Sequence, residues 1–564
     1  MSLKLLRLLA ATALMTALVT GCGGDDEAAD AGSGGDAMSK AAPAASAGDT
    51  SPLLAYIPAN TPYFVANRDQ MDDKSLELMW EMANPALAYA QNGIDKALAD
   101  EEMSSEPLAR AILEELNGNL NREGLAGLGI EPTGNVAMYG VGILPVFRAN
   151  VSDGAKLKAT IERIEEKSGQ QFTRGEYEGM SFYEGGEKDA AAIVAINGDE
   201  VILSVVPNNA REAGLKQLFS PAAENVTARM DALNKTYDLL PMLTVAVDSV
   251  AMVNAVLTDN SEVAQAMFGQ ERGELSEACI AEFQSIAAIA PEIVSGYTRF
   301  DDSEIDSIGV IKLRDDIAGR VTQLAAPMAG MGQADDVLFQ FGMAFDILKT
   351  KQFAQDMAAA VAADPYQCDK LADLNQGMTQ MQAQLAQPLP PVVGNIKGFR
   401  MSLKDMDLSQ GMPQQIRALV MVGISNPQLV VGMASAFVPQ LATLQLSSDG
   451  SPSPLPAGVI PFPLDEPHLA MTDAGIALSI GTGEQEQLKG FLDAPEPSGD
   501  APWMVMGYDQ EGMALYQQQM QQAMAAMSDE EIPTLPVSDL FDRQTMNATF
   551  TNRGIEVFSR SYLK

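Results

Sequence analysis

A single histidine, His468, is all the imidazole in the chain. That scarcity removes His-based triads, His-rich zinc sites and the commonest general base. His468 lies in FPLDEPHLAM, beside a predicted strand, and reads as a structural or surface residue. Basic residues are also short: 36 Lys and Arg against 75 Asp and Glu, a formal charge of −39. A phosphate backbone needs a basic footprint, so nucleic acid is excluded as a partner. Docking on anionic lipid head groups through charge is disfavoured for the same reason. The carboxylates are scattered, as on solvated helix faces. DDEAADAGSGGD at residues 25–36 has the acid content of a Ca²⁺ loop without its ligand spacing. There is no G-x-S-x-G elbow, and Gly481-Thr482-Gly483 is not followed by the G-K-[ST] of a phosphate loop. The paired acids Asp301-Asp302 and Asp335-Asp336 fall in loops, where solvated surface is the default. No catalytic residue, metal ligand or cofactor is assigned on these grounds.

The N-terminal stretch up to Cys22 has a different composition. Lys4 and Arg7 precede an apolar core from Leu8 to Val19, which is shorter than the roughly 20 residues of a membrane span. The core ends in Val19-Thr20-Gly21-Cys22. This resembles the lipobox of bacterial lipoproteins: a branched apolar residue, two small ones, then cysteine. The resemblance implies cleavage before Cys22 and acylation of its side chain and amino group. Gly23, in place of the aspartate that commonly retains lipoproteins at the inner membrane, implies the outer membrane. Residues 23–51 are mostly Gly, Ala, Ser and Asp and read as a disordered tether, with an r.m.s. span of roughly 30 Å.

At 564 residues the chain exceeds one ordinary core. One device recurs along it: an apolar strand, a short polar stop, then a helix. The stops are Asp69, Asp153, Asp248, Asp346, Asn426 and Asp509. Asp and Asn suit helix N-caps, because a short side-chain oxygen accepts from the first free backbone N–H groups. Asn197-Gly198 between two apolar runs predicts a tight hairpin.

The devices repeat at long range. Asp153 and Asn426 are 426 − 153 = 273 apart, Leu203 and Leu478 are 478 − 203 = 275 apart, and Asp248 and Asp509 are 509 − 248 = 261 apart. Gly134-Asn135-Val136 matches Gly394-Asn395-Ile396, and Asp69 matches Asp346. The order is kept throughout, which predicts an internal duplication. The expected organisation is a first half at 52–315, a connector at 316–329 and a second half at 330–564. The fold class expected is α+β, with mainly antiparallel sheets and helices packed on one face. This pattern, with Tyr177-x-Gly179-x-x-x-Tyr183, is similar to uncharacterised bacterial envelope proteins and transfers no catalytic residue.

Residues 418–448 carry no charge. A second membrane span is one reading. Asn426, Pro427, Gln428, Pro439 and Gln440 interrupt the run, so a buried strand followed by a buried helix is preferred, and an apolar groove is a third reading. Met520, Met524 and Met527, and Met378 and Met381, have helical spacing and read as core or adaptable interface rather than copper ligands. If Cys22 is acylated, Cys279 and Cys368 remain as a pair in an oxidising compartment, and a disulfide between them would join the two halves.

The function expected is a non-enzymatic lipoprotein, held by its lipid anchor and facing the periplasm. It would bind or scaffold an envelope protein or a small apolar ligand. The alternatives are a carrier of lipid or small apolar molecules, and a carboxylate- or Ser-dependent hydrolase in a cleft between the halves.

Overall fold

The computed structural model describes residues 50–564, apart from 101–102, 104–105, 187–188, 274, 333–336, 391, 408–413, 445, 457–458, 460–463 and 515–539. Cys22, the tether up to residue 49, Asp335-Asp336 and the cluster Met520, Met524 and Met527 lie outside the described residues.

Strands and helices take turns along the chain. The first ten strands are β1 Tyr63–Ala66, β2 Pro132–Val141, β3 Leu144–Val151, β4 Thr173–Tyr177, β5 Met180–Gly186, β6 Ala190–Asn197, β7 Glu200–Pro207, β8 Thr244–Asp248, β9 Glu292–Phe300 and β10 Glu304–Lys312. The other nine are β11 Phe339–Ala344, β12 Ile396–Asp407, β13 Gln414–Ile424, β14 Ser453–Pro454, β15 His468–Thr472, β16 Gly475–Ile480, β17 Pro502–Asp509, β18 Phe541–Thr551 and β19 Gly554–Leu563.

All of them join one antiparallel ladder. Its order is β4-β5-β6-β7-β3-β2-β1-β8-β9-β10, then β19-β18-β17-β11-β12-β13-β16-β15-β14. Inward from either end, the connections follow a similar plan, with β4 as an extra strand on one edge. The middle is the β10–β19 pair, where Ile308 faces Phe558. Arg560 donates two hydrogen bonds to Asp306 there, at 2.8 and 2.9 Å. The expected hairpin forms at Gly198, with φ of 59° and Asn197 opposite Glu200.

Among the described residues the helices are α1 Asp73–Ala99, α2 Pro107–Leu116, α3 Arg122–Leu128, α4 Gly154–Ser168, α5 Arg211–Phe219, α6 Thr227–Tyr237, α7 Ser249–Leu257, α8 Glu262–Arg272, α9 Glu277–Ala287, α10 Asp315–Val321, α11 Ile347–Ala363, α12 Ala372–Leu385, α13 Pro427–Phe437 and α14 Leu488–Leu492. They cover both faces of the sheet, and the expectation of one covered face is corrected. Phe64, Tyr139, Val146 and Ile202 pack with Leu218 of α5 and Met230 of α6. Val65, Phe147, Ala149 and Val201 pack on the other side with Leu157 and Ile161 of α4. Phe64 and Val65 are neighbours in β1, so they point to opposite faces. A strand reading Tyr-Phe-Val-Ala is apolar on both, and each face needs a cover.

Residues 316–329 do not hang free between halves. Ile317, Ala318 and Val321 of α10 are buried with Trp503, Ala548 and Phe550. Met328 and Ala329 enter the core beneath β11, β13 and β16, alongside Ala344, Leu419 and Ala477.

Candidate functional site

The repeated polar stops are helix caps at five positions. Asp153 accepts from the backbone N–H groups of Ala155 and Lys156, each at 3.0 Å. Asp248 accepts from Ala251 at 2.7 Å, Asp346 from Lys349 at 3.0 Å and Asn426 from Leu429 at 3.2 Å. Asp509 accepts from Gly512 at 2.8 Å, at the start of a helical stretch described over 510–514. Asp69 is a correction: the cap of α1 is Asp72, which accepts from Ser75 at 2.7 Å. Asp69 is held elsewhere. Its N–H donates to the Pro241 carbonyl and its carboxylate pairs with Arg68. Two aspartates three residues apart competed for one helix, and only Asp72 sits one residue before its first turn.

These caps are spread along the ladder and do not converge, so they build architecture rather than a reaction centre. The Nδ1 of His468 lies 2.9 Å from the Glu466 carbonyl, two residues away. Asp301 is tied to Arg299 and Ser303, and Asp302 to Lys74 at 2.9 Å. Met378 and Met381 lie on α12. Among the described residues, no group of three or more His, Cys, Asp or Glu is arranged to hold a metal ion.

A concave feature of the first half is a shallow crevice between α1 and the start of β2. Met71, Leu76, Met79, Trp80 and Val136 give it an apolar lining, with Asn135 as a polar group. Gly134 bounds it at φ 98°, with a Gln70 side-chain carbon 3.1 Å from where a Cβ would stand. Buried Asn67 fixes the rim. It donates to the Gly134 carbonyl at 2.8 Å and accepts from the Val136 N–H at 2.8 Å. The indole N–H of buried Trp80 has no hydrogen-bond partner among the described residues. Buried donors are nearly always paired, so this one is an exception.

Two buried arginines were not singled out by sequence reasoning. Arg148 on β3 donates to the Tyr139 hydroxyl at 3.0 Å, to Glu200 and to the Leu218 carbonyl, and it stacks on Tyr56 at 3.8 Å. Arg400 on β12 donates to the Gly330 and Phe491 carbonyls, each at 2.8 Å, and lies 3.8 Å from the Phe491 ring centre. An arginine inside the apolar run Val146-Phe147-Arg148-Ala149 was the available signal.

Cys279 and Cys368 form a disulfide with Cα atoms 4.6 Å apart. It joins α9 to the turn that leads into α12. Glu282 on α9 accepts from the N–H groups of Gln367 and Cys368 at 2.6 and 2.9 Å, so the bridge is backed by a hydrogen-bonded clamp. Leu275, Phe283, Tyr366 and Leu371 pack around it.

No protein-family model, curated protein or solved structure matches this chain.

Residues 418–448 become β13, α13 and a short 3-10 turn at Pro439–Thr443. The strand is buried as expected: Ala418, Leu419 and Met421 are core. The helix is not, and the expectation of a buried helix is corrected. Among the described side chains of α13 only Pro427 is buried, and Leu429 is 45% exposed. Among the described residues, no helix is long and apolar enough to cross a membrane.

Proposed function

We propose that the chain is a non-enzymatic lipoprotein, anchored through Cys22 in the outer membrane, whose folded body binds or scaffolds an envelope protein on the periplasmic side. The observation that carries this reading is the unbroken ladder. Eighteen strand spacings at about 4.8 Å make a platform roughly 85 Å along its curve. The platform is tied twice across its middle, by β10–β19 pairing and by Cys279–Cys368. A clamshell needs halves that rock, and a shared sheet resists that motion. A broad rigid surface suits assembly.

We also propose that the platform arose by duplication of one half, and strand register supports it. Val146 faces Ser204 across β3 and β7, and Leu419 faces Ser479 across β13 and β16. The differences, 419 − 146 = 273 and 479 − 204 = 275, equal those found between motifs in the sequence. Val65 faces Val245, and Phe341 faces Met506, giving 506 − 245 = 261 for the partner strands. The Gly134 and Gly394 landmark is three residues out of step. Val136 faces Ala149 and Phe399 faces Val422, so register gives 399 − 136 = 263 in place of 260. Bulged pairing in both hairpins absorbs the shift.

Crosslinking in native envelopes, followed by recovery of the acylated chain, tests the function. A protein recovered in fixed ratio, and lost when the body is denatured before crosslinking, supports the scaffold. The crevice at Trp80 favours a carrier as the second reading. Recovery of a small apolar molecule without a protein partner would move the assignment to it.

A further inference from the structure

We infer that α13 is a membrane-contact element, resting its apolar surface on the acyl region of the bilayer that holds the lipid anchor. The inference rests on the anchor reading, and it adds a second point of contact to it. A helix that is apolar on every side belongs in a core or in lipid. In α13 the polar side chains are Gln428 and Ser435, and the Ser435 hydroxyl is satisfied by the Val431 carbonyl at 2.8 Å. Yet the helix is not in the core. Leu429 is 45% exposed, and Gln428, Gly432 and Ala436 are exposed with it.

The patch extends beyond the helix. Phe399 on β12 is 39% exposed, its ring centre 5.6 Å from that of Phe341. Leu348 near the start of α11 is 53% exposed and borders Gly394, just ahead of β12. The topology sets these together: α11 leaves the end of β11, α13 leaves the end of β13, and β12 runs between them. In the first half the corresponding sheet face is closed by Leu78 and Met82 of α1 and by Leu157 and Ile161 of α4.

Charge selects lipid as the occupant. The chain has a net charge of −39, yet residues 418–448 contain neither a carboxylate nor a cation. This is the part of an acidic protein that can approach an anionic bilayer without repulsion, and burying it in the acyl boundary desolvates no charge. Reach is sufficient. Thr50 begins the described chain beside β1, and the whole tether separates it from Cys22. Fully extended, a tether of that length spans about 95 Å. From β1 to β13 is nine strand spacings, about 43 Å along the ladder. The contact draws on apolar area alone, so it should be insensitive to salt and to the fraction of anionic lipid.

The test uses the full acylated chain in vesicles of phosphatidylethanolamine and phosphatidylglycerol, with a nitroxide at Leu429→Cys or, as a control, at Lys158→Cys on α4. Collision with oxygen relative to a water-soluble nickel complex should be roughly tenfold higher at 429 than at 158, and unchanged by salt. Equal, water-like values at both sites overturn the inference. So does a label at 429 that is shielded only when envelope proteins are added, an outcome that assigns the patch to a protein partner. Vesicle flotation separates this from the anchor. A chain that floats while 429 stays in water loses only the present inference. A chain without acyl groups loses the anchor. For that chain the 429 label is read at high lipid concentration, where lipid exposure keeps the inference and its absence overturns it. Leu429→Asp should lower binding of an unacylated chain that begins at Gly23 to these vesicles roughly tenfold, with the circular dichroism spectrum unchanged. An unchanged affinity counts against the helix.

Discussion

The two ends of the ladder solve one packing problem with unequal material. On one sheet face, the first half uses large rings: Phe64, Tyr139, Phe182, Phe219 and Tyr237 are buried together. The second half fills the corresponding space with Ala344, Ala470, Ala477, Met328, Met331 and Met421, beside one ring, Phe491. On the other face the contrast is in coverage. Leu157 and Ile161 close the first half, whereas Phe399 and Leu429 stay open in the second. A similar backbone plan thus carries different side chains. One half is filled with rings, and the other holds adaptable methionine and exposed apolar surface.

The strongest test of that contrast concerns what ties the halves together. Replacing both Cys279 and Cys368 with Ala should cost about 4–5 kcal/mol in chemical denaturation, the chain-entropy value for a closed loop of 89 residues. The β10–β19 register should survive. Hydrogen exchange should therefore speed up in α9, α11 and α12 and stay slow at residues 304–312. Fast exchange in β10 would mean that the bridge, and not the ladder, holds the halves.

Next is the pair of buried arginines. Phe491 follows Leu218 at the offset of the proposed duplication (491 − 218 = 273), and each carbonyl accepts from a guanidinium. The arginine comes from β3 in one half and from β12, its spatial neighbour's counterpart, in the other. Arg148→Ala strands the Glu200 carboxylate as well as the carbonyl and should cost about 3–5 kcal/mol. Arg400→Ala, which removes donors to two carbonyls, should cost about 2–3 kcal/mol. Urea unfolding of the two variants gives the ranking, and the reverse order would refute this account of the difference.

The ring contrast predicts a smaller gap. Phe182→Ala removes a fully buried ring stacked on Phe219 at 5.7 Å and should cost about 3–4 kcal/mol. Phe399→Ala removes one already open to solvent and should cost about 1 kcal/mol or less in the same assay.

Acid should weaken both halves through carboxylates held below their ordinary value, Glu484 and Glu115 among them. Burial would raise the Glu484 carboxyl, but hydrogen bonds from Lys404 and Arg417, at 2.7 and 2.6 Å, hold it below the ordinary value. Burial likewise opposes, and Arg163 and Lys167 outweigh, at Glu115. A carboxyl depressed in the folded state stabilises fully above its unfolded value near 4.5, and that contribution is lost as pH falls through the folded value. Glu484→Gln should therefore lower stability at pH 7 and flatten the acid limb of the stability profile. An acid limb as steep as that of the unmodified chain, with the same loss at pH 7 and at low pH, would remove Glu484 from the explanation.

Much of the local structure is legible in the sequence. Short polar residues at strand ends mark the caps, and their spacing is what suggests the proposed duplication, because both signals are carried by a few neighbouring residues. The Asn197-Gly198 turn is local too. The continuous sheet is not, since β10 in mid-chain meets β19 near the last residue (558 − 308 = 250) and no local pattern encodes that pairing. Coverage on two faces is hidden in strands too short to reveal a period, such as Tyr63–Ala66. The open face of α13 escapes for another reason. An uncharged run predicts burial, and the sequence does not say whether protein or lipid does the burying.

The smallest effect concerns the one cap that the repeat misplaces. In Arg68-Asp69-Gln70-Met71-Asp72-Asp73, three acids have the chemistry of a cap, and the proposed repeat points to Asp69 because it matches Asp346. The match across the halves is 346 − 69 = 277, but strand register gives 341 − 65 = 276, so Asp69 is already one residue out of step with its counterpart. The first half has a longer strand-to-helix connection, and capping falls to Asp72, whose carboxylate meets the Ser75 N–H. Asp346 still caps directly. Asp72→Ala and Asp346→Ala should each cost about 1 kcal/mol, including the lost favourable charge at a helix N-terminus. Asp69→Ala gives up a partly exposed pair with Arg68 and should cost about 0.5 kcal/mol or less. Amide exchange at Ser75 and at Lys349 separates these outcomes from global stability. Each N–H should exchange faster only in the variant that removes its own acceptor. Faster exchange at Ser75 in Asp69→Ala would return the cap to the residue that the repeat first pointed to.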